Sequence, residues 1–222
     1  MSIFIPNTTN NTAVTNTAYT GPATQIITVM CWFMLPTAGT PAAYRDIIAL
    51  DPNIYLQTFN DGATIDYGTS TADHTGQVLQ SGVWYHASMI VIPSSTTNRQ
   101  ILGYFNGNLT TNVTDTATFS TYTNVCIGNS VQFAFANPLA GNVRDLRIWT
   151  RQLSQHEIQK EIISKVPIHT QSLLLWAPLE DNTYADKSGN GHTFTVGSAV
   201  TIQGGMNAAS PTYIKSNIAR MW

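Results

Sequence analysis

An all-β, antiparallel two-sheet sandwich with one short helix near 154–165 is the architecture to expect from this chain of 222 residues, on three observations. Short apolar, β-branched and aromatic runs recur along most of the sequence. Gly, Pro, Asn and Asp separate them at intervals too short for crossover helices, which argues against a parallel α/β arrangement. Only one segment carries a helical start signal with helical periodicity behind it.

The elements follow in order. Residues 1–24 are a Thr/Asn-rich lead-in whose one strongly apolar cluster is Ile3-Phe4-Ile5. Ordering a backbone costs about 1–2 kcal/mol per residue, more than so polar a stretch can offset alone. The reading is an N-terminal arm, 1–24, whose Ile3, Phe4 and Ile5 anchor on a neighbouring subunit or a particle surface. An edge strand in the chain's own sheet is the competing explanation. The sandwich domain then occupies 25–222. Residues 26–35 form a near-continuous apolar run stopped by Pro36, which suits a central strand. Strands at 46–50 and 54–59 flank the turn Asp51-Pro52-Asn53, and Asn60-Asp61-Gly62 opens a hairpin into 63–67. Next come 82–92, closed by Pro93, and 101–105, which runs into a second hairpin signal at Asn106-Gly107. Runs at 125–127, 131–135 and 143–149 complete this set. Ser154-Gln155-His156-Glu157 is a capping box, in which the Ser hydroxyl and the Glu carboxylate each satisfy a backbone N–H of the first turn. Ile158, Ile162 and Val166 continue it as one apolar stripe ended by Pro167. Strand 173–179, a glycine-rich loop at 186–192 and a closing strand at 194–202 finish the chain.

Composition narrows the function classes. Hydrophobic residues make up 43%, enough for a core without disulfide staples. Charged residues are only 10%, against about 25% in an average globular protein. Thr, Asn, Ser and Gln supply the polar surface instead. A net charge of -2 and a pI near 6.2 leave no electrostatic footprint for nucleic acid. No apolar run is long enough to span a membrane, and residues 1–11 lack the basic and apolar regions of a secretory signal. Cys31 and Cys126 each sit in an apolar run and read either as buried small hydrophobes or as one cross-sheet bridge.

The segment GNVRDLRIWTRQLSQHEI, residues 141–158, resembles the C-terminal signature of laminin G-like and pentraxin-like domains. A glycine leads an apolar, Asp, apolar, Arg, Ile, aromatic strand, here Val143, Asp145, Leu146, Arg147, Ile148 and Trp149. Arg151 and Leu153 then enter the Ser154-x-x-Glu157-Ile158 helix. Three further stretches agree in order. They are Val29-Met30-Cys31-Trp32-Phe33, Gly82-Val83-Trp84-Tyr85-His86-Ala87, and Tyr104-Phe105-Asn106-Gly107 followed by Cys126-Ile127-Gly128. Leu175-Trp176-Ala177-Pro178-Leu179-Glu180 with Asp186-Lys187-Ser188-Gly189-Asn190-Gly191-His192 is similar to a motif that these domains often carry at the N-terminus. The resemblance spans about residues 25–195 and implies a jelly-roll sandwich of the concanavalin A-like lectin/glucanase fold. A fold of this kind hosts many functions, so function is argued from the site.

Some relatives of that fold are glycosidases, which work with paired carboxylates. The chain has three glutamates. Glu157 belongs to the capping box, Glu161 reads as a solvated helix-face residue, and Glu180 opens a loop. The Glu-x-Asp-x-Glu strand of laminarinase-like relatives is absent, as is the Gln-x-His strand of the polysaccharide lyases. His156-Glu157 lacks the second histidine of a zinc protease, since residue 160 is Lys. No Gly-x-Ser-x-Gly elbow occurs. No catalytic residue is therefore assigned. His86 reads as a packed core histidine, His74, His169 and His192 as loop residues in solvent. Trp32, Trp84, Trp149 and Trp176 sit in apolar runs and read as core.

Sugar recognition needs an aromatic platform with a few planar polar partners. Tyr44, Tyr67 and Tyr122 beside turns, with the loop or strand-end acids Asp46, Asp66 and Asp73, are the candidate ligand-binding residues. Calcium of the pentraxin kind would need six to eight oxygens. No dense acidic loop supplies them, so no metal site or cofactor is assigned and calcium alone stays open. The functional expectation is a non-catalytic binding and assembly module, a decoration or fibre component on a phage virion or another extracellular surface. Its partners would be a glycan and a protein partner or second copy. A free lectin is the alternative, and a glycan-active hydrolase or lyase the remaining one.

Overall fold

The computed structural model describes residues 2–6, 14–16, 21, 24–35, 44–51, 54–58, 64–68, 73–116, 124–130, 136–180 and 184–203. Its strands are β1 (Ser2–Ile5), β2 (Val14–Asn16), β3 (Ile27–Met34), β4 (Arg45–Asp51), β5 (Ile54–Thr58), β6 (Thr64–Gly68), β7 (Asp73–Val78), β8 (Trp84–Pro93), β9 (Arg99–Phe105), β10 (Asn108–Asp115), β11 (Asn124–Ile127), β12 (Gly141–Trp149), β13 (Leu173–Ala177), β14 (Thr195–Val196) and β15 (Thr201–Gln203). Helix α1 (Gln155–Ile163) lies between β12 and β13. The first sheet runs β10-β9-β8-β3-β12-β1-β15, with β13 also on β12, and the second runs β14-β2-β11-β4-β5-β6-β7. Every pairing is antiparallel.

Strand β3 explains its own apolar run. Val29, Cys31 and Phe33 face the core between the sheets, while Met30 and Trp32 face outward beneath Ile158 and Ile162 of α1. Both faces are covered, so a strict alternation would leave polar groups buried. Sheet meets sheet closely where the Tyr67 ring lies on Gly103. A Cβ there would stand 2.6 Å from the ring, and the Tyr67 hydroxyl donates to the Tyr104 carbonyl at 2.9 Å.

The local signals formed the elements they specify. Asn106 and Gly107 both take positive φ, 50° and 82°, the requirement of a tight hairpin turn between β9 and β10. In α1 the Ser154 hydroxyl accepts from Glu157 N at 3.3 Å and the Glu157 carboxylate accepts from Ser154 N at 2.8 Å. A cap of this kind contributes about 1 kcal/mol. Gln155 and Gln159 donate to the Gly107 carbonyl, which ties the helix to the β9–β10 turn.

Four expectations are corrected. Ile3 and Ile5 belong to this chain's own core: β1 lies between β12 and β15, and both are 0% exposed, while Phe4 is half-buried. Strand β2 joins the second sheet, so the arm drawn at 1–24 contributes to both layers of the sandwich. The expected closing strand at 194–202 is two short strands, β14 in the second sheet and β15 in the first. Helix α1 stops at Ile163, with Ser164 extended at φ -93°, which leaves Val166 off the stripe and 56% exposed. Cys31 and Cys126 are buried free thiols: Cys31 faces the inter-sheet core, whereas Cys126 packs with Ala49 and Tyr55 in a separate cluster. Their placement in different clusters leaves no bridge between them. The runs at 131–135 and 60–62 lie outside the described residues.

Candidate functional site

Two sheet faces hold the chemistry-bearing side chains. On the second sheet, Ile54, Leu56, Ile65 and Tyr67 point into the core, so alternation turns Tyr55, Gln57 and Asp66 to the other face. The register sets Asp46, Gln57 and Asp66 directly opposite one another across β4, β5 and β6, with His74 of β7 next in the row. Gln57 Nε2 donates to Asp66 Oδ2 at 2.9 Å. Structure thus brings together two of the expected acids, Asp46 near the start of β4 and Asp66 in the middle of β6. Both are 0% exposed, which corrects the reading of Asp46 and Asp66 as surface ligand groups. Tyr67 is corrected too, since it faces the core, where burial drives its phenol pKa upward. Tyr44 is 39% exposed at the mouth of β4, Asp73 begins β7 opposite Tyr67, and Tyr122 lies outside the described residues.

The outer face of the first sheet carries a group that sequence reasoning assigned to core. Along β12, Val143 and Leu146 both pack inward although they are three residues apart. A bulge reconciles them: the β12–β3 register shifts between Arg144 and Arg147, and Asp145 takes φ 52°. The extra residue sets Arg144 and Arg147 on the same outer face, where strict alternation would oppose them. The two apolar residues at odd spacing were the trace of this bulge in the sequence.

The two arginines then diverge. Arg147 is buried and consumed by structure. Its Nε and Nη2 donate to Asp145 at 2.9 and 2.7 Å, Nη1 donates to the Glu161 carboxylate, and Nη2 donates to the Ser164 carbonyl. Glu161 is 1% exposed, not solvated as its helix position suggested, because its other carboxylate oxygen accepts from Ile168 N and His169 N. His169 Nδ1 stands 2.8 Å from the same oxygen, so this histidine is not free in solvent either.

Arg144 points elsewhere. Its guanidinium carbon lies 4.4 Å from the Trp84 ring centroid and 5.5 Å from that of Trp32. Trp32 meets His86 edge-on at 5.3 Å. Register accounts for the group, since Arg144 opposes Trp32 on β3 and Trp32 opposes His86 on β8. His86 is buried, and burial together with the Arg147 charge pushes its pKa down to about 3, so the imidazole is neutral. Trp84 and Arg144 are half-buried at the rim. Burial lowers the Arg144 pKa while the Glu180 and Asp145 charges act to raise it. The guanidinium thus lies over the Trp84 ring, with its N–H groups at the edge of the stack.

Among the described residues no three His, Cys, Asp or Glu side chains gather closely enough to hold an ion. Of the acids considered for calcium, Asp46 and Asp66 stand on strands two apart with Gln57 between them. The loop at 186–192 is wound on its own acid: Asp186 accepts from Trp176 N, Ser188 N and His192 N. No described helix is long and apolar enough to cross a membrane.

No curated protein matches the chain in sequence. Among solved structures, a heptameric SAP-like pentraxin from Limulus polyphemus is similar, with TM-score 0.58, 15% identity, 89% of this chain covered and 95% of that one. A Bacteroides ovatus protein provisionally assigned to carbohydrate binding gives TM-score 0.56 and 13% identity over 91% of this chain. The match covers 62% of that longer protein. At such identities the likeness is one of fold. A family model described as the concanavalin A-like lectin/glucanases superfamily, of laminin G-like type, matches residues 7–159. With the two-sheet architecture, this establishes that the chain belongs to the concanavalin A-like lectin/glucanase superfamily.

Proposed function

We propose that this chain is a non-catalytic, lectin-like glycan-binding module whose ligand sits on the outer face of the first sheet, at Trp84 and Arg144. One observation carries the reading: a half-buried indole on β8 with a guanidinium from β12 4.4 Å from its ring centroid, brought together across β3. Aromatic side chains together with a few fixed polar donors are what sugar recognition requires, and here the indole holds the guanidinium whose edge donors meet the hydroxyls.

The acids support a binding role over hydrolysis. Asp46 and Asp66 stand two strands apart, roughly 10 Å by strand spacing, while paired glycosidase carboxylates lie about 5–5.5 or 6.5–9.5 Å apart. Both are closed to solvent, and Glu161 is held by Arg147. Placement on a virion or another particle surface rests on the Thr/Asn-rich, weakly charged composition. The assembly role given to Ile3, Phe4 and Ile5 no longer contributes to it.

The test is a glycan array read with the full chain and with Trp84→Ala, each checked for cooperative melting. Binding to a defined set of glycans, lost in the variant, is the expected result. No bound glycan at micromolar protein, or unchanged binding by Trp84→Ala, would sink the reading.

A further inference from the structure

We propose that the ligand taken at Trp84 and Arg144 carries a carboxylate, which makes it an acidic saccharide of the uronate class; this rests on the glycan-binding reading above. Arg144 differs from the other arginines near it. Arg147 donates to Asp145 at 2.7 Å and to Glu161, and Arg151 pairs with Glu157 at 2.7 Å. Arg99, buried in β9, pairs with Asp115 at 2.8 Å. Among the described residues, Arg144 has no such partner, and its close contacts are the two indole rings. The acids whose charges reach it are Glu180, an exposed residue, and Asp145. Asp145 is already engaged by Arg147 and by the Trp176 indole N–H.

A half-buried guanidinium whose donors are unused is a cation that has lost part of its hydration without gaining an acceptor. Stacking on the rings engages its flat face and leaves the N–H groups at its edge, in the plane of the fork. A carboxylate presents two coplanar oxygens to that fork, whereas one sugar hydroxyl presents a single acceptor.

The probe is an array of uronate oligosaccharides printed beside the same oligosaccharides with their carboxyls reduced to primary alcohols, together with sulfated neutral oligosaccharides. Isothermal titration follows on the best pair, with the full chain, Arg144→Gln and Arg144→Lys. The uronate form is expected to bind about tenfold or more tighter than its reduced counterpart. Arg144→Gln should erase that preference, so that the acidic and reduced forms bind alike, and Arg144→Lys should restore only part of it. Equal binding of the acidic and reduced forms, a preference for the sulfated set, or a preference that survives Arg144→Gln would overturn the carboxylate inference and leave glycan binding standing. Absence of binding to every saccharide would overturn both. Should Arg144→Gln fail to fold, competition by free glucuronate but not glucose on the unaltered chain decides the same point.

Discussion

Replacing Ile5 by alanine asks whether the N-terminal segment belongs to this chain's core or to a neighbour. Its side chain is fully buried, and β1 is held on both edges, by β12 and β15. Ile5 Cγ1 approaches Gly128 so closely that a Cβ there would lie 2.3 Å from it. Gly128 cannot move in to fill a vacated volume, because its N–H donates to the Ile47 carbonyl and its carbonyl accepts from Leu139 N, each at 2.9 Å. A buried isoleucine cut to alanine costs about 2–5 kcal/mol, and a site that collapses poorly lies in the upper half, near 4 kcal/mol. Each kcal/mol moves Tm by about 2–4 °C in a domain of this size, so a fall of roughly 8–16 °C is expected. Urea unfolding followed by tryptophan fluorescence gives the free energy, and native mass spectrometry of the same samples gives the assembly state. Stability within about 0.5 kcal/mol of the unaltered chain, with a loss of oligomer mass, would refute the reasoning and return Ile5 to an intermolecular anchor.

Three further outcomes are expected. Glu161→Ala leaves Arg147 buried with Asp145 as its remaining carboxylate and should cost about 3–5 kcal/mol in urea unfolding, more than Glu161→Gln, whose amide oxygen still accepts from Ile168 N and His169 N; equal costs would show that the charge is immaterial. The His86 imidazole protonates near 6.5 in the unfolded chain and only near 3 when folded. The unfolded state therefore binds the extra proton between those values. Stability should fall as pH drops through that window, by up to about 1.4 kcal/mol per unit, and His86→Gln should flatten that component. Cys31 and Cys126 should both resist Ellman's reagent in the native chain and yield two equivalents after denaturation; none on denaturation would mean that they are bridged.

Local signals were enough to place much of the sandwich. The apolar run of β3, the Asn106-Gly107 turn and the Ser154–Glu157 capping box are each decided by residues within a few positions of one another, and short-range geometry is what a linear pattern records. The same reach explains the misses. Ile3-Phe4-Ile5 reads as an isolated cluster until β12 and β15 flank it, and Val14–Asn16 has too little apolar character to announce a strand. Glu161 looks solvated on its helix until Arg147, Ile168 and His169 close around it. Asp46, Gln57 and Asp66 share a row only through the β4–β5–β6 register. The Trp84–Arg144 stack depends on one bulged residue, Asp145, which turns Arg144 to the outer face. Read alone, the chain specified its central strands, the helix cap, the tight turns and the family. Which polar groups would be buried, paired or left facing a ligand was decided by tertiary packing, because burial and strand register join residues more than a hundred positions apart.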